Sequence, residues 1–425
     1  METAEETLCF GDVLQTSRRR VGLTQEQLAG LSTVSVRAIR DLELGRAHRP
    51  RGQTVRLLAD ALQLTGSPRM LLESAAGRPA ADGAVRQLFR EGAAAPPAPT
   101  GPLFGRGAEK RLVREILHRE RLVSLVGLAG VGKTRLVQEV ALLERAEGPA
   151  PAVWIGTSSA AAGREDRSRA VFSSWVRDRL RGAAPAGELA GLLGSGRTLL
   201  VLDGYEAGWV RPDCLTHLLD RCAGLRVLVT SREPVAFPGG VTVPLPPLDT
   251  TGGPEEATSP VVDLLRAQLR CTRPGLVPTP ATDAALAELG RALDGLPLAL
   301  HLAAAWFPVY SPEQLAPIAR QDPLELLEPV FGDGTEPEGG SGGLRKLLRH
   351  AVAGLRPAEA AVLRAMAAMA GPVPVAELVR RCGRPLGETT RALHALLQRG
   401  LVRQDRTPSG EDALAVLNVV RHAGV

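Results

Sequence analysis

Four short apolar runs mark the middle of the chain, at residues 122–126, 152–155, 198–202 and 226–230. Amphipathic stretches long enough for helices separate them, and this alternation predicts a parallel sheet covered by helices. The patterns on either side are helical. Residues 10–21, 24–31, 35–44 and 53–64 each carry a helical period, with Thr24 and Gln27 spaced as a capping box, Ser35 placed to cap the third helix, and Gly22 and Gly30 as breakers. Helical segments return from 260 to about 327, where residues 296–310 read as a buried helix with proline terminators. Helices near 344–354, 357–370, 373–382 and 386–399 then precede two short strands around Thr407-Pro408-Ser409-Gly410. Helices followed by a hairpin predict a winged helix.

Composition breaks the chain where periodicity lapses. Residues 75–102 turn rich in Ala, Pro and Gly, which reads as a partly extended linker, and Gly332 to Gly343 is too polar and glycine-rich to pack. The expected order is a domain over 8–74 in which two short helices meet across a tight turn as a helix-turn-helix, a linker over 75–102, an α/β domain over 103–250 whose loop 127–134 has the phosphate-binding spacing G-x-x-x-x-G-K-[ST], a helical extension over 251–330, a flexible linker over 331–343 and a winged helix over 344–425. The fold class is multidomain: an all-α helix-turn-helix, an α/β P-loop domain with a parallel sheet, a helical extension and a C-terminal winged helix.

Bulk numbers exclude several classes. Apolar residues at 44% and charged residues at 23% fit a globular chain and not a disordered one. Five cysteines without a C-x-x-C pair (9, 214, 222, 271, 382) point away from a metal site and toward reduced thiols in a cytoplasmic protein. Acids near the N-terminus argue against a signal peptide, and no apolar run reaches the length of a membrane span, so no membrane partner is expected. The net charge of +5 is modest, but nine arginines against three acids between Arg18 and Arg56 predict a local basic surface.

The chemistry concentrates after the first apolar run. Gly127-Leu128-Ala129-Gly130-Val131-Gly132-Lys133-Thr134 completes the pattern G-x-x-x-x-G-K-[ST]. Gly127, Gly130 and Gly132 let backbone N–H groups converge on one anion at a helix N-terminus, Lys133 reaches the β and γ phosphates, and the Thr134 hydroxyl ligates Mg²⁺. Lys133 is one of only three lysines among 51 basic residues, in a slot that Arg fills poorly. Asp203, ending the third apolar run, is the expected second metal residue. Gly204 follows where many such ATPases carry a second acid, with Glu206 close by to orient water, so at most slow hydrolysis is expected. Arg232, just past the fourth run, is placed to distinguish ATP from ADP. An Asn-Lys-x-Asp element for guanine is missing, which favours adenine.

Together these residues resemble the signal-transducing ATPases with numerous domains (STAND), in the NB-ARC-like branch shared with plant resistance proteins and apoptosis adaptors. Phe104-Gly105-Arg106-Gly107 is similar to that family's element bordering the adenine, Val229-Thr230-Ser231-Arg232 to its sensor strand, and Gly295-Leu296-Pro297 to its G-x-P motif. The resemblance implies that Arg106 and Pro297 contact the nucleotide. Where the family has a Met-His-Asp motif, this chain has Val416 to Arg421 without the histidine, and it stops at Val425 where the family continues into sensor repeats.

Residues 22–46 resemble the helix-turn-helix of phage Cro and repressor proteins (XRE family). That likeness implies that Val34, Ala38, Ile39 and Leu42 pack inward. It also implies that Val36, Arg37 and Arg40 face double-stranded DNA, with Gln25 and Ser35 on phosphates. The expectation is a transcriptional regulator whose DNA-binding output is governed by ATP or ADP with Mg²⁺, with self-association on activation. The alternative is an ATP-hydrolysing signalling scaffold whose helix-turn-helix binds protein.

Overall fold

The computed structural model describes residues 10–44, 46–47, 50–64, 101–146, 151–156, 164–182, 186–206, 208–235, 237–250, 259–328, 342–369, 371–407 and 410–424, with scattered positions from 68 to 99. They form two compact units, one of residues 1–95 with 161–192, the other of residues 96–160 with 193–425.

The first unit opens with four helices, α1 (Phe10–Arg20), α2 (Gln25–Ser32), α3 (Val36–Glu43) and α4 (Gly52–Ala61). Their apolar stripes meet on Leu14, Leu28, Ile39 and Leu58, all fully buried. The expected capping box closes α2, with the Gln27 N–H donating to Thr24 Oγ1 and the Thr24 N–H to the Gln27 side chain. Thr33 at φ 55° then turns the chain into α3, where Ser35 Oγ accepts the Ala38 N–H.

Beneath this core lies a charged network. Arg18 donates to both carboxylate oxygens of Glu43, at 2.7 and 3.0 Å, and Gln25 donates to the same carboxylate at 2.7 Å. Burial works to raise the Glu43 carboxyl, but the hydrogen bonds from Arg18 and Gln25 outweigh it and hold the group below the usual range.

Part of the expected linker is packed. Val85, Leu88 and Ala94 are buried, and the Phe89 ring stacks at 6.0 Å on Phe172 of α5 (Arg164–Leu180). The apolar residues at 85, 88 and 89 recur at helical spacing, which the Ala, Pro and Gly around them obscure. α5 and α6 (Ala186–Leu193) lie in the stretch expected within the nucleotide-binding domain, yet residues 161–192 group with the first unit. Arg179 joins the two helices by stacking on Trp175 and pairing with Glu188 at 2.6 Å.

The second unit holds a five-stranded parallel sheet of β1 (Leu122–Val126), β2 (Ala152–Gly156), β3 (Thr198–Tyr205), β4 (Leu225–Ser231) and β5 (Val241–Pro244), in the order β2-β3-β4-β1-β5. β1 is buried along its whole length, which explains its unbroken apolar run. β5 escapes the sequence pattern because it is a short, half-buried edge strand. α7 (Gly107–Arg119), α8 (Lys133–Ala146) and α9 (Pro212–Arg221) complete the α/β part.

One continuous core then runs from the sheet through α10 (Pro260–Thr272), α11 (Pro280–Ala292), α12 (Pro297–Ala304) and α13 (Pro312–Gln321). It extends into α14 (Gly342–Ala353), α15 (Pro357–Ala367), α16 (Val375–Cys382) and α17 (Leu386–Gln398). The expected two-stranded wing is a three-stranded antiparallel sheet in the order β6-β8-β7, from Val373–Pro374, Asp412–Val416 and Val402–Arg406. A short final helix, α18 (Asn418–His422), follows it. Residues 331–341 of the expected glycine-rich linker and Pro408-Ser409 of the expected turn lie outside the described residues. No described helix is long and apolar enough to cross a membrane.

Candidate nucleotide site and candidate DNA-contacting helix

The sheet order sets β4 between β1 and β3, so Val126 and Ser231 end adjacent strands on one edge and Asp203 lies two residues before the end of β3 on the same side. In open α/β sheets, ligands bind in the crevice beyond these carboxyl ends. From β1 the chain enters the loop 127–132 and continues into α8 at Lys133. Gly130 at φ 79° and Gly132 at φ 99° take left-handed conformations that a side chain would strain.

Lys133 is half-buried. Its Nζ donates to the carbonyls of Gly127 at 2.8 Å and Leu128 at 3.0 Å. Burial, with repulsion from Arg232 and against attraction from Asp203, lowers its pKa to about 8. Arg232 itself is exposed, directly beyond β4.

Asp203 meets Thr134 as expected from their spacing. The Thr134 hydroxyl lies 2.9 and 3.1 Å from the two carboxylate oxygens, and Thr230 donates to the same group at 2.7 Å. Burial raises the Asp203 carboxyl against these bonds and against Lys133. Two hard oxygen donors, a hydroxyl and a carboxylate, suit a divalent cation such as Mg²⁺.

The register shifts between Leu202 and Tyr205, and Gly204 at φ 75° donates its N–H to Thr230 Oγ1 at 2.8 Å. The residue after Asp203 is thus a backbone irregularity that glycine fits, which accounts for the missing second acid. Glu206 lies beyond the strand end and is exposed. Thr230 was not anticipated at this site; its one signal was a polar residue inside an apolar strand.

Two residues that the resemblance assigned to the nucleotide also have protein partners around the loop. Arg106 is buried and donates to the carbonyls of Val131 at 3.0 Å and Pro246 at 2.7 Å while pairing with Glu109 at 2.7 Å. It braces the loop from behind. Pro297 opens α12, with its Cγ 3.7 Å from where a Cβ on Gly132 would stand, and the next N–H, of Leu298, donates to Gly130 O at 3.1 Å.

The winged-helix segment also reaches the loop. Gly400, at φ 71° just past α17, is so near that a Cβ there would stand 3.1 Å from Leu128 N. Leu344 of α14 approaches Gly130. Beside Gly400, Arg399 pairs with Glu233, the residue after Arg232, at 3.4 Å. No local sequence pattern signals these contacts, because their partners lie far apart in the chain.

In the first unit, Arg37 and Arg40 are exposed on α3 and Val36 is half-buried, while Ile39 and Leu42 point into the core and Val34 and Ala38 are half-buried. Ser35 is exposed, but its hydroxyl is engaged as the α3 cap, and the Gln25 amide is committed to Glu43. The exposed arginines form a basic surface along α3, from Arg37 in its first turn to Arg40 in its last, on the helix that enters the major groove in helix-turn-helix docking.

Family models match at both ends, the one described as "Helix-turn-helix domain" over residues 10–72 and the one described as "IclR helix-turn-helix domain" over 360–406. The chain is 29% identical over 245 residues to the uncharacterized protein Rv0894 of Mycobacterium tuberculosis (strain ATCC 25618 / H37Rv), covering 55% of this chain and 58% of that one. It is 30% identical over 225 residues to Rv0890c of the same strain, a protein whose name assigns it provisionally to the HTH-type transcriptional regulators. That match covers 48% of this chain and 22% of Rv0890c, so the chain spans only part of the curated relatives it matches.

Among solved structures, the Walker-type ATPase PABY2304 of Pyrococcus abyssi aligns at 18% identity with a TM-score of 0.46, over 77% of this chain and 97% of that one. A STAND protein with a tetratricopeptide repeat sensor, PH0952 of Pyrococcus horikoshii, aligns at 16% identity and 0.30, over 77% and 43%. Scores this low do not establish a shared fold; the P-loop α/β architecture rests on the sheet order and loop described above.

Proposed function

We propose that this chain is a DNA-binding transcriptional regulator whose Cro/repressor-type helix-turn-helix is governed by an adenine nucleotide held in a STAND-type, NB-ARC-like switch. The observation that carries the reading is the convergence on one phosphate loop of Leu298 from the helical extension and of Leu344 and Gly400 from the winged-helix segment. A ligand that reshapes this loop bears on all three at once.

In this reading the N–H groups of the loop and Lys133 bind the β and γ phosphates, and Thr134 and Asp203 hold Mg²⁺. The metal, when bound, neutralises phosphate charge. Lys133 exchanges its bonds to the Gly127 and Leu128 carbonyls for phosphate oxygens. Arg232 answers to the γ-phosphate, and its neighbour Glu233 carries the change to Arg399. The winged helix, in contact with the loop through Gly400 and Leu344, would stay seated with ADP and would loosen with ATP, permitting self-association. Exposed Glu206 is poorly held for orienting water, so hydrolysis is slow.

Arg37, Arg40 and Val36 read bases, and Gln25 and Ser35 approach phosphates. A single helix-turn-helix covers a half-site, so self-association strengthens DNA binding by bringing two readers together. The test is to identify the nucleotide that co-purifies with the protein and then to footprint genomic DNA in each nucleotide state. Retained adenine nucleotide and a footprint that changes with its state support the proposal; an empty protein with an unchanged footprint contradicts it.

A further inference from the structure

A cleft of about 500 Å³ opens where the helical extension meets the end of the winged-helix segment, away from the phosphate loop. Its lining comes from three elements: Glu288, Arg291 and Ala292 of α11, Ala319 and Arg320 of α13 with Pro323 after it, and Asn418 and His422 of α18. Ala319 and Pro323 are buried and supply an apolar floor, and the rim is polar.

The rim groups differ in how they are engaged. Arg320 pairs with Glu288. The Arg291 guanidinium has neither an ion pair nor a side-chain hydrogen bond among the described residues, although its backbone carbonyl accepts the Asn418 side-chain N–H at 3.1 Å. The Nδ1 of His422 lies 2.9 Å from the Asn418 carbonyl. A carbonyl only accepts, so Nδ1 carries the proton and the Nε2 lone pair is left to accept from a hydroxyl on the ligand. The cleft therefore combines an uncommitted planar cation, an imidazole nitrogen and an apolar floor, within the size range of small-molecule sites.

We infer that this cleft binds a small organic anion, with a carboxylate or phosphate group on Arg291 and its body over Ala319 and Pro323. Arg presents a fork of donors that matches either group. The ligand bridges α11 and α13 to α18, the same joint that Asn418 closes onto Arg291, so occupancy holds the winged-helix segment against the helical extension. This makes it an effector site separate from the nucleotide site, and it stands independently of the proposed function.

The test is calorimetric titration of the full chain with citrate and, separately, with glycerol 3-phosphate, which distinguishes a carboxylate from a phosphate ligand. The inference expects saturable binding of at least one probe with a midpoint of about 1 mM or tighter. Arg291→Ala weakens it roughly tenfold or more, His422→Ala weakens it less, and Lys133→Ala leaves it unchanged. Arg291→Gln, which keeps the stem, guards against a folding defect, checked by an unaltered melting curve without probe. Failure of both probes to saturate, or affinity that survives Arg291→Gln, overturns the inference, and loss of binding in Lys133→Ala instead assigns the probe to the phosphate loop.

Discussion

Asp294 accepts the backbone N–H of Val419 at 2.9 Å, so a buried carboxylate of the helical extension caps the last helix of the winged-helix segment. Arg403 of β7 approaches the same carboxylate at 3.5 Å. Asp294 itself sits at φ 55°, ending α11 just ahead of the Gly295-Leu296-Pro297 turn that lies on the phosphate loop. One residue thus fastens the winged-helix segment to the element nearest the candidate nucleotide site.

Asp294→Ala should cost about 1–3 kcal/mol, because it leaves the Val419 N–H buried without an acceptor, whereas Asp294→Asn keeps an oxygen there and costs less. Burial, against the N–H groups of Val419 and Asn418 and the charges of Arg403 and Arg421, raises the Asp294 carboxyl to about 6. The folded chain therefore holds this proton more tightly than the unfolded one. The contribution is greatest below the ordinary carboxylate range and declines as pH rises through about 6. Denaturation of the wild type and of Asp294→Asn at pH 4.5 and 7.5 should show the stability difference moving toward Asn at the higher pH, by about 2 kcal/mol.

Lys133 should give the proposed nucleotide binding a pH dependence of its own. Its pKa in the free protein is about 8, lowered chiefly by burial, and a polyphosphate beside it restores the protonated form. Below pH 8 the cation is already present. Above it, binding must take up a proton, so affinity should fall by up to about tenfold per pH unit between 8 and 10. Calorimetry in buffers of different ionisation enthalpy should report that uptake, and Lys133→Ala should abolish it.

Gly400→Ala tests the contact between winged helix and phosphate loop. A methyl group there stands 3.1 Å from Leu128 N at φ 71°. Strain and crowding together should cost about 1–2 kcal/mol and loosen the winged-helix segment. Release of bound nucleotide should be faster than in wild type, measured with a fluorescent analogue.

In the helix-turn-helix, Arg18→Ala strands the buried Glu43 carboxylate and should cost roughly 3 kcal/mol, which calorimetric melting would resolve. Because the Glu43 carboxyl is held below its usual value, its stabilisation is present at neutral pH and is lost as pH falls through that lowered value.

Much of this was legible in the chain. The loop 127–134, its partner Asp203 and four strands announce themselves through glycine spacing and apolar runs that a buried parallel sheet demands. The helix-turn-helix is equally plain, since the Thr24 and Ser35 caps and the inward set of Ile39 and Leu42 are local signals. What stayed hidden depends on distance or on small size. β5 and α18 are too short to show a period, and Phe89 meets Phe172 across more than eighty residues. The contacts of Gly400 with Leu128 and of Asp294 with Val419 leave no local trace at all. Arg106 shows a further limit, because a motif named the residue while only the structure reveals that its guanidinium grips the Val131 and Pro246 carbonyls.

The central claim is that nucleotide state governs DNA binding, and one measurement bears on it most directly: affinity for a footprinted DNA fragment at fixed salt, for wild type with ADP, wild type with ATP and Mg²⁺, and Lys133→Ala with each. The account predicts at least tenfold tighter binding with ATP than with ADP, a difference that vanishes in Lys133→Ala, and loss of binding in Arg37→Ala and Arg40→Ala. Equal affinity across all four nucleotide conditions would contradict it.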